Sequence, residues 1–70
     1  MNVKELFGRN LAMAREESKL TQAELADRAY MDQPRISTFE RGVVCPWLYS
    51  AVRLADALGV RLRDLLFEIG

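Results

Sequence analysis

Histidine is absent from the 70-residue sequence, and cysteine occurs once, as Cys45. The absence of imidazole excludes a zinc site built from Cys and His ligands, a His-based catalytic triad and a histidine proton switch. A single cysteine cannot form an internal disulfide, so we expect a reduced thiol in a cytoplasmic protein. Together with the lack of a glycine-rich phosphate loop, these absences predict no cofactor and make an enzyme the least favoured class.

Long apolar runs are missing as well. No stretch approaches the ~20 apolar residues that a membrane-spanning helix needs, and the N-terminus has no signal-peptide pattern. We therefore expect no membrane partner.

Charge of one sign is not in excess, since ten Lys and Arg residues balance ten Asp and Glu residues. Nucleic-acid-binding domains often carry a basic excess, which attracts the polyanion over long range. The balance argues against such attraction in this chain, although binding itself depends on where the charges lie.

Regular apolar spacing is the main positive signal. Half of the residues are hydrophobic, and only four glycines and two prolines interrupt them. These features predict one compact domain over residues 1–70 with an all-α fold. The five expected helices are about Asn2–Ser18, Gln22–Ala29, Gln33–Arg41, Trp47–Leu58 and Arg61–Phe67. The expected inward residues are Val3, Phe7, Leu11, Ala14, Leu25, Ala26, Ala29, Met31, Ile36, Phe39, Leu48, Ala51, Val52, Ala55, Leu58, Leu62, Leu65 and Leu66.

The stretch 20–42 predicts two short helices joined by a tight turn. Thr21 and Glu24 have the spacing of a capping box, in which each side chain bonds the other residue's backbone N–H. Asp32 can cap the second helix, and Gly42 is the residue expected just after that helix ends. Two such helices inside an all-helical domain are the sequence form of a helix-turn-helix.

These residues carry a family resemblance. TQAELADRA, a short turn and QPRISTFERG resemble the lambda-repressor-like (Xre/Cro-type) helix-turn-helix family of phage and bacterial transcription regulators. CPWLYSAVRLADALGVRLRDLL is similar to the family's fourth and fifth helices, so the resemblance covers roughly residues 6–67. It implies a five-helix DNA-binding domain with the helix-turn-helix at its second and third helices. The implied function is sequence-specific regulation of transcription, as a repressor or Cro-like protein.

The third helix is the expected recognition helix, because its outward residues at the N-terminal end are those that enter a major groove in this motif. Four residues are predicted to read bases: Gln33, Pro34, Arg35 and Thr38. Gln33 can pair bidentately with adenine, Pro34 can only touch a thymine methyl, and Arg35 could reach either guanine or a phosphate. The alternative is that these are ordinary solvated residues.

Matching family positions also suggest contacts to the DNA backbone from Gln22, Ser37 and Arg41. For Gln22 the alternative is that it serves only as a good helix former at the first helical position. Arg15 lies on the apolar stripe of the first helix, where its stem could pack while its head reaches solvent. The resemblance supports instead a partly buried pair with Glu40, which would orient the third helix against the first.

Two segments depart from the family pattern. Tyr30 stands where the family usually has Gly, in a turn that requires a left-handed backbone. A tyrosine there costs about 1 kcal/mol, so either the turn is built differently or packing of the ring offsets the strain. The loop Val43–Trp47 is apolar where the family often carries Lys, Arg or Asn. It either packs locally or forms a protein contact.

A homodimer is expected on a pseudo-palindromic DNA operator. Apolar residues near the C-terminus have little left to cover them in a monomer, and small members of the family dimerise near this end, about residues 59–70. The predicted dimer interface is Leu62, Leu66, Phe67 and Ile69. The alternative function is a protein-interaction module or antitoxin-like regulator, which would bind a protein partner through Val43–Trp47 and the C-terminal end.

Overall fold

Five helices form the part of the chain that the computed structural model describes, residues 1–68, and no strand occurs within that range. The predicted all-α fold and its order of elements are confirmed. The helices are α1 (Val3–Glu17), α2 (Gln22–Ala29), α3 (Gln33–Glu40), α4 (Leu48–Leu58) and α5 (Leu62–Leu66).

Reciprocal side-chain caps fix where α1 and α2 begin. The predicted capping box of α2 is confirmed: Glu24 N–H donates to Thr21 Oγ1 at 3.0 Å, and Thr21 N–H donates to Glu24 Oε1 at 2.8 Å. A second capping box, which was not predicted, joins Asn2 and Glu5. Asn2 is therefore a cap in extended conformation, and α1 starts one residue later than predicted.

The ends of α3 follow the expected capping chemistry. Asp32 Oδ1 accepts the Arg35 backbone N–H at 3.0 Å, and Pro34 lies in the first turn, where its missing N–H has no intrahelical partner to lose. The helix ends at Glu40, one residue earlier than predicted. Gly42 follows with φ of +74°, the left-handed conformation that glycine adopts without strain.

The core is a single cluster to which all five helices contribute. α3 packs on α1 and α2, while α4 packs mainly on α2 and α5 lies against α1. The buried hydrophobic residues are Phe7, Leu11, Leu25, Ala26, Ala29, Ile36, Phe39, Ala51, Leu54, Ala55, Leu58 and Leu65. Ala14, Met31, Leu62 and Leu66 were predicted inward and are half-buried against this cluster.

Three residues that were predicted to lie inward are exposed, so these predictions are wrong. Val3 is exposed at the start of α1, and on α4 both Leu48, which is 69% exposed, and Val52 face solvent. α4 is rotated about its axis relative to the prediction, so that Ser50 and Leu54 lie inward together with the predicted Ala51, Ala55 and Leu58. Apolar residues occupy most of the circumference of α4, and packing on α2 rather than periodicity selects the buried side.

None of the helices within residues 1–68 combines the length and apolar character that crossing a membrane would require.

Candidate DNA-binding surface

The N-terminal half of α3 presents its polar side chains to solvent. Gln33, Pro34 and Arg35 are exposed, while Ile36 and Phe39 are buried and anchor the opposite side of the helix. Because the buried pair is fixed in the core, the exposed residues form a surface of defined orientation. This is the arrangement that a recognition helix needs in order to enter a major groove.

Arg35 and Arg41 supply the positive charge of this surface, and both side chains fold back against α3. The Arg35 guanidinium carbon is 5.8 Å from the centroid of the Phe39 ring, a cation–π contact. Arg41 donates from Nε to Ser37 O and from Nη2 to Thr38 Oγ1, each at 3.4 Å. Both guanidinium groups are at or near the surface and are held by weak contacts, so they can turn toward DNA at little cost.

Thr38 has less hydrogen-bonding capacity left than the sequence implies. Its Oγ1 donates to Pro34 O at 2.9 Å, which is the bond of a helical hydroxyl to the carbonyl four residues earlier. While this bond is made, the hydroxyl cannot donate to a base. A base contact by Thr38 would therefore use its methyl group or accept a hydrogen bond.

A partly buried ion pair joins α1 to α3. Arg15 Nε donates to Glu40 Oε2 at 2.6 Å and Arg15 Nη2 to Glu40 Oε1 at 3.1 Å, with side chains 15% and 8% exposed. The hydrogen bond to Glu40 raises the pKa of Arg15, although partial burial opposes this. The bidentate geometry fixes both side chains, and the charge of Glu40 is balanced from inside the domain.

The same carboxylate also reaches α2. Gln22 Nε2 donates to Glu40 Oε1 at 3.0 Å, while Arg15 Nη1 donates to Leu20 O at 2.9 Å. Gln22 is thus more than a helix former, because it connects the first turn of α2 to the end of α3. A phosphate contact by Gln22 stays a prediction.

The turn between α2 and α3 has the left-handed residue that the family places there. Tyr30 has φ of 59° and ψ of 46°, so the expectation of a differently built turn is wrong. The other alternative, packing of the ring, does not take the form of burial in the core, since Tyr30 is 83% exposed. The partner of Tyr30 is Arg53 of α4, a contact that was not predicted. Arg53 Nη2 donates to Tyr30 O, and its guanidinium lies near the ring.

The apolar loop Val43–Trp47 and the start of α4 are exposed to solvent rather than packed against the rest of the protein. Val43, Val44 and Cys45 face solvent, and Trp47 is 85% exposed. An open groove of about 650 Å³ lies between α3 and this loop. Exposed apolar residues continue onto α4 and form the α4 surface, which consists of Trp47, Leu48, Tyr49 and Val52.

The residues of the predicted C-terminal dimer interface differ in burial. Leu62 and Leu66 are half-buried against the protein's own core, whereas Phe67 is 64% exposed. Ile69 lies outside the described residues. Asn10 of α1 donates from Nδ2 to Leu65 O at 3.2 Å and to Phe67 O at 3.1 Å, which fixes the end of α5.

An all-helical domain in which a capped α2 holds an exposed polar α3 has the architecture of the helix-turn-helix DNA-binding proteins. The sequence model of the helix-turn-helix family matches residues 11–65. The chain belongs to this family, and specifically to its lambda-repressor-like, Xre/Cro-type members. It is a non-enzymatic, DNA-binding transcriptional regulator.

Relatives of known sequence or structure agree with this assignment. The uncharacterized HTH-type transcriptional regulator y4dJ of Sinorhizobium fredii (strain NBRC 101917 / NGR234) is 40% identical over 66 residues, which are 94% of this chain and 86% of the relative. The restriction-modification controller protein C.AhdI from Aeromonas hydrophila has a TM-score of 0.85 and 31% identity, covering 89% of this chain and 94% of that one. The clp gene regulator ClgR from C. glutamicum has a TM-score of 0.88 and 26% identity, covering 94% and 86%.

Proposed function

We propose that this protein acts as a homodimeric repressor or Cro-like regulator on a pseudo-palindromic DNA operator, with the recognition helix 33–41 in the major groove. The observation that carries the proposal is the exposed N-terminal half of α3 above the buried pair Ile36 and Phe39. A dimer that covers its operator excludes other proteins from the same DNA, which is the simplest physical route to repression.

Base reading is assigned to the first turns of α3. Gln33 is exposed and has the amide geometry for a bidentate contact with adenine. Pro34 lies beside it and offers only an apolar contact, which suits a thymine methyl. Arg35 can reach guanine or a phosphate once it leaves the Phe39 ring, and Thr38 contributes its methyl or an acceptor.

Backbone positioning is assigned to residues at the edges of the same surface. Gln22 is already held by Glu40 through one amide hydrogen, which leaves the second amide hydrogen to donate to a phosphate. Ser37 is half-buried, and Arg41 is exposed near the end of α3. Few cations are in reach of phosphates, so affinity should fall as salt rises, but with a shallow slope.

Dimerisation is assigned to exposed apolar residues facing a second copy of the chain. The α4 surface offers the larger apolar area, and Phe67 adds a contribution from the predicted C-terminal interface. Two copies with a formal net charge of zero have no net repulsion to overcome. A two-fold dimer would put the recognition helices about one helical turn, roughly 34 Å, apart.

The test is selection of bound duplexes from a random pool, followed by a salt titration on the enriched sequence. An inverted repeat with half-site centres one helical turn apart, bound more weakly as salt rises, is the expected result. Enrichment of a single half-site without symmetry would exclude the dimer but retain the base readout. No enrichment even at low salt would contradict sequence-specific binding.

A protein-interaction module or antitoxin-like regulator is the second candidate. It is favoured by the exposure of Val43, Val44 and Trp47 beside the open groove of the loop. Salt separates the two functions, because counterion release dominates DNA binding and matters less for an apolar protein contact. If the protein bound a protein partner and no DNA, the helix-turn-helix would serve only as a scaffold for that contact.

A further inference from the structure

We propose that Arg53 of α4 is a positioning residue for DNA binding, because it holds the left-handed Tyr30 turn and thereby sets the orientation of the recognition helix. The inference rests on the proposed base reading by α3. It concerns a residue outside that helix, and no family motif or spacing in the sequence assigns it a role.

The turn needs such support because it lacks glycine. Tyr30 has φ of 59°, a conformation in which a Cβ atom crowds the following carbonyl and which glycine adopts without that strain. Burial of the ring does not offset the strain, since the side chain is 83% exposed. The backbone N–H groups of the turn bond back into α2: Tyr30 N–H donates to Asp27 O at 3.3 Å and Met31 N–H to Ala26 O at 2.9 Å.

The carbonyl oxygen of Tyr30 is bonded by Arg53. Arg53 Nη2 donates to this oxygen from α4. The guanidinium carbon also lies 5.7 Å from the centroid of the Tyr30 ring and 5.3 Å from that of Tyr49. One half-buried cation thus contacts the backbone and the ring of the strained residue, and a second ring on its own helix.

The turn leads directly into the base-reading residues. Only Met31 and Asp32 separate Tyr30 from Gln33, and Asp32 caps α3. α4 packs mainly on α2, so Arg53 connects the scaffold formed by these two helices to the connection that precedes α3. If Tyr30 leaves the left-handed region, the first turn of α3 tilts, and Gln33 and Pro34 move relative to the groove.

A double-mutant cycle tests this role. Arg53→Ala should raise the operator Kd about tenfold, whereas in a Tyr30→Gly background the same change should raise it less than about twofold, because glycine keeps the turn without the contact. The salt dependence of binding should be unchanged by Arg53→Ala, whereas loss of a phosphate contact lowers the slope by about one. Arg63→Ala, which removes an exposed arginine on α5, is the matched control and should change neither quantity.

Circular dichroism and melting of each variant, with binding measured well below the melting temperature, separate positioning from unfolding. Equal loss of affinity in both backgrounds with a lower salt slope would make Arg53 a phosphate contact and overturn the proposal. Equal affinity of Arg53→Ala and the native protein would overturn it as well.

Amide chemical shifts keep this inference separable from the proposed function. If the native protein binds no duplex, the base-reading proposal fails, but the effect of Arg53 on the Tyr30 turn can still be measured. Arg53→Ala should then shift the amides of Met31, Asp32 and Gln33, and these shifts should be smaller in a Tyr30→Gly background, where glycine keeps the left-handed turn without strain. Unshifted amides in the Arg53→Ala variant of the otherwise native protein would show that Arg53 does not hold the Tyr30 turn.

Discussion

Gly8 lies so close to the end of α3 that a Cβ atom at this position would stand 2.4 Å from the carbonyl oxygen of Phe39 and 2.9 Å from that of Glu40. The backbones of α1 and α3 therefore meet directly at this point. Arg15 lies two turns further along α1, and long helical side chains lean toward the N-terminus. The close approach at Gly8 thus brings Arg15 within reach of Glu40 at the end of the recognition helix.

Gly8→Ala should destabilise the protein, against the usual effect of this change in a helix. At an exposed helical position the substitution stabilises by up to about 1 kcal/mol. At Gly8 the added methyl meets backbone atoms that cannot rotate away, so we expect a loss of about 1–3 kcal/mol in the free energy of unfolding. Urea denaturation measures it, with Glu16→Ala on the exposed side of α1 as the control. A gain in stability for Gly8→Ala would mean that α1 and α3 lie further apart.

Arg15→Met should cost about 3 kcal/mol of unfolding free energy, because it leaves the Glu40 carboxylate buried without its cation. Adding Glu40→Leu should recover part of this loss, since the double variant contains no unpaired buried charge. Chemical denaturation of both single variants and the double variant gives the coupling energy. Strictly additive losses would contradict a direct interaction between these side chains.

The parts of the fold that depend on local backbone chemistry could be predicted from the sequence. Thr21, Glu24 and Asp32 satisfy N–H groups within their own helix turn, so their spacing alone sets the starts of α2 and α3. The side of α4 that is buried could not be predicted in the same way. Leu54 and Val52 are both apolar, and only packing on α2 puts Leu54 inside and Val52 outside.

Contacts between residues that are far apart in the sequence could not be predicted from it either. Asn10 donates to the carbonyl of Leu65, 55 positions away, and Arg53 to that of Tyr30, 23 positions away. A backbone carbonyl is the acceptor in both cases, and every residue has one, so no residue type marks the partner. The Arg15–Glu40 contact was expected only through the family resemblance, which supplied the pairing that periodicity does not.

Gln33→Ala should weaken specific operator binding by about 1–3 kcal/mol and leave the melting temperature unchanged, because the side chain is exposed and the lost contact is to a base. Fluorescence anisotropy on operator and scrambled duplexes measures both affinities. Arg41→Ala is the comparison: as a phosphate contact it should weaken binding to both duplexes and lower the salt slope by about one. Unchanged discrimination between the duplexes in Gln33→Ala would remove Gln33 from the readout.

Leu48→Glu should raise the dimer dissociation constant at least about tenfold, because it puts a charge at the centre of the α4 surface. Phe67→Glu should have a smaller effect, since Phe67 contributes at the edge. Sedimentation equilibrium over a range of protein concentrations measures this. Val3→Glu, at another exposed apolar residue, should leave the equilibrium unchanged. The reverse order, with Phe67→Glu more disruptive than Leu48→Glu, would put the dimer at the C-terminal end.

Acid should weaken the start of α2 through Glu24. A hydrogen bond from the Thr21 backbone N–H holds the pKa of the Glu24 carboxyl below its ordinary value, and a hydrogen bond with the Thr21 side chain lowers it further. A carboxyl whose pKa is lower in the folded state stabilises the fold above its unfolded pKa, and this contribution is lost as pH falls through the folded pKa. The loss is therefore expected once the pH falls below about 4.5, the ordinary pKa of a glutamate carboxyl.

Glu24→Gln separates this titration from the cap itself. Glutamine keeps an oxygen for the Thr21 N–H and so preserves the capping box, but it cannot be protonated in this range. Unfolding free energies measured in urea from pH 7 to pH 3 should therefore fall less steeply for Glu24→Gln than for the native protein. Glu17→Gln removes a carboxyl of the same kind at the exposed end of α1 without touching a capping box. If it flattened the pH dependence as much as Glu24→Gln, the acid sensitivity would come from the overall loss of negative charge rather than from the cap of α2.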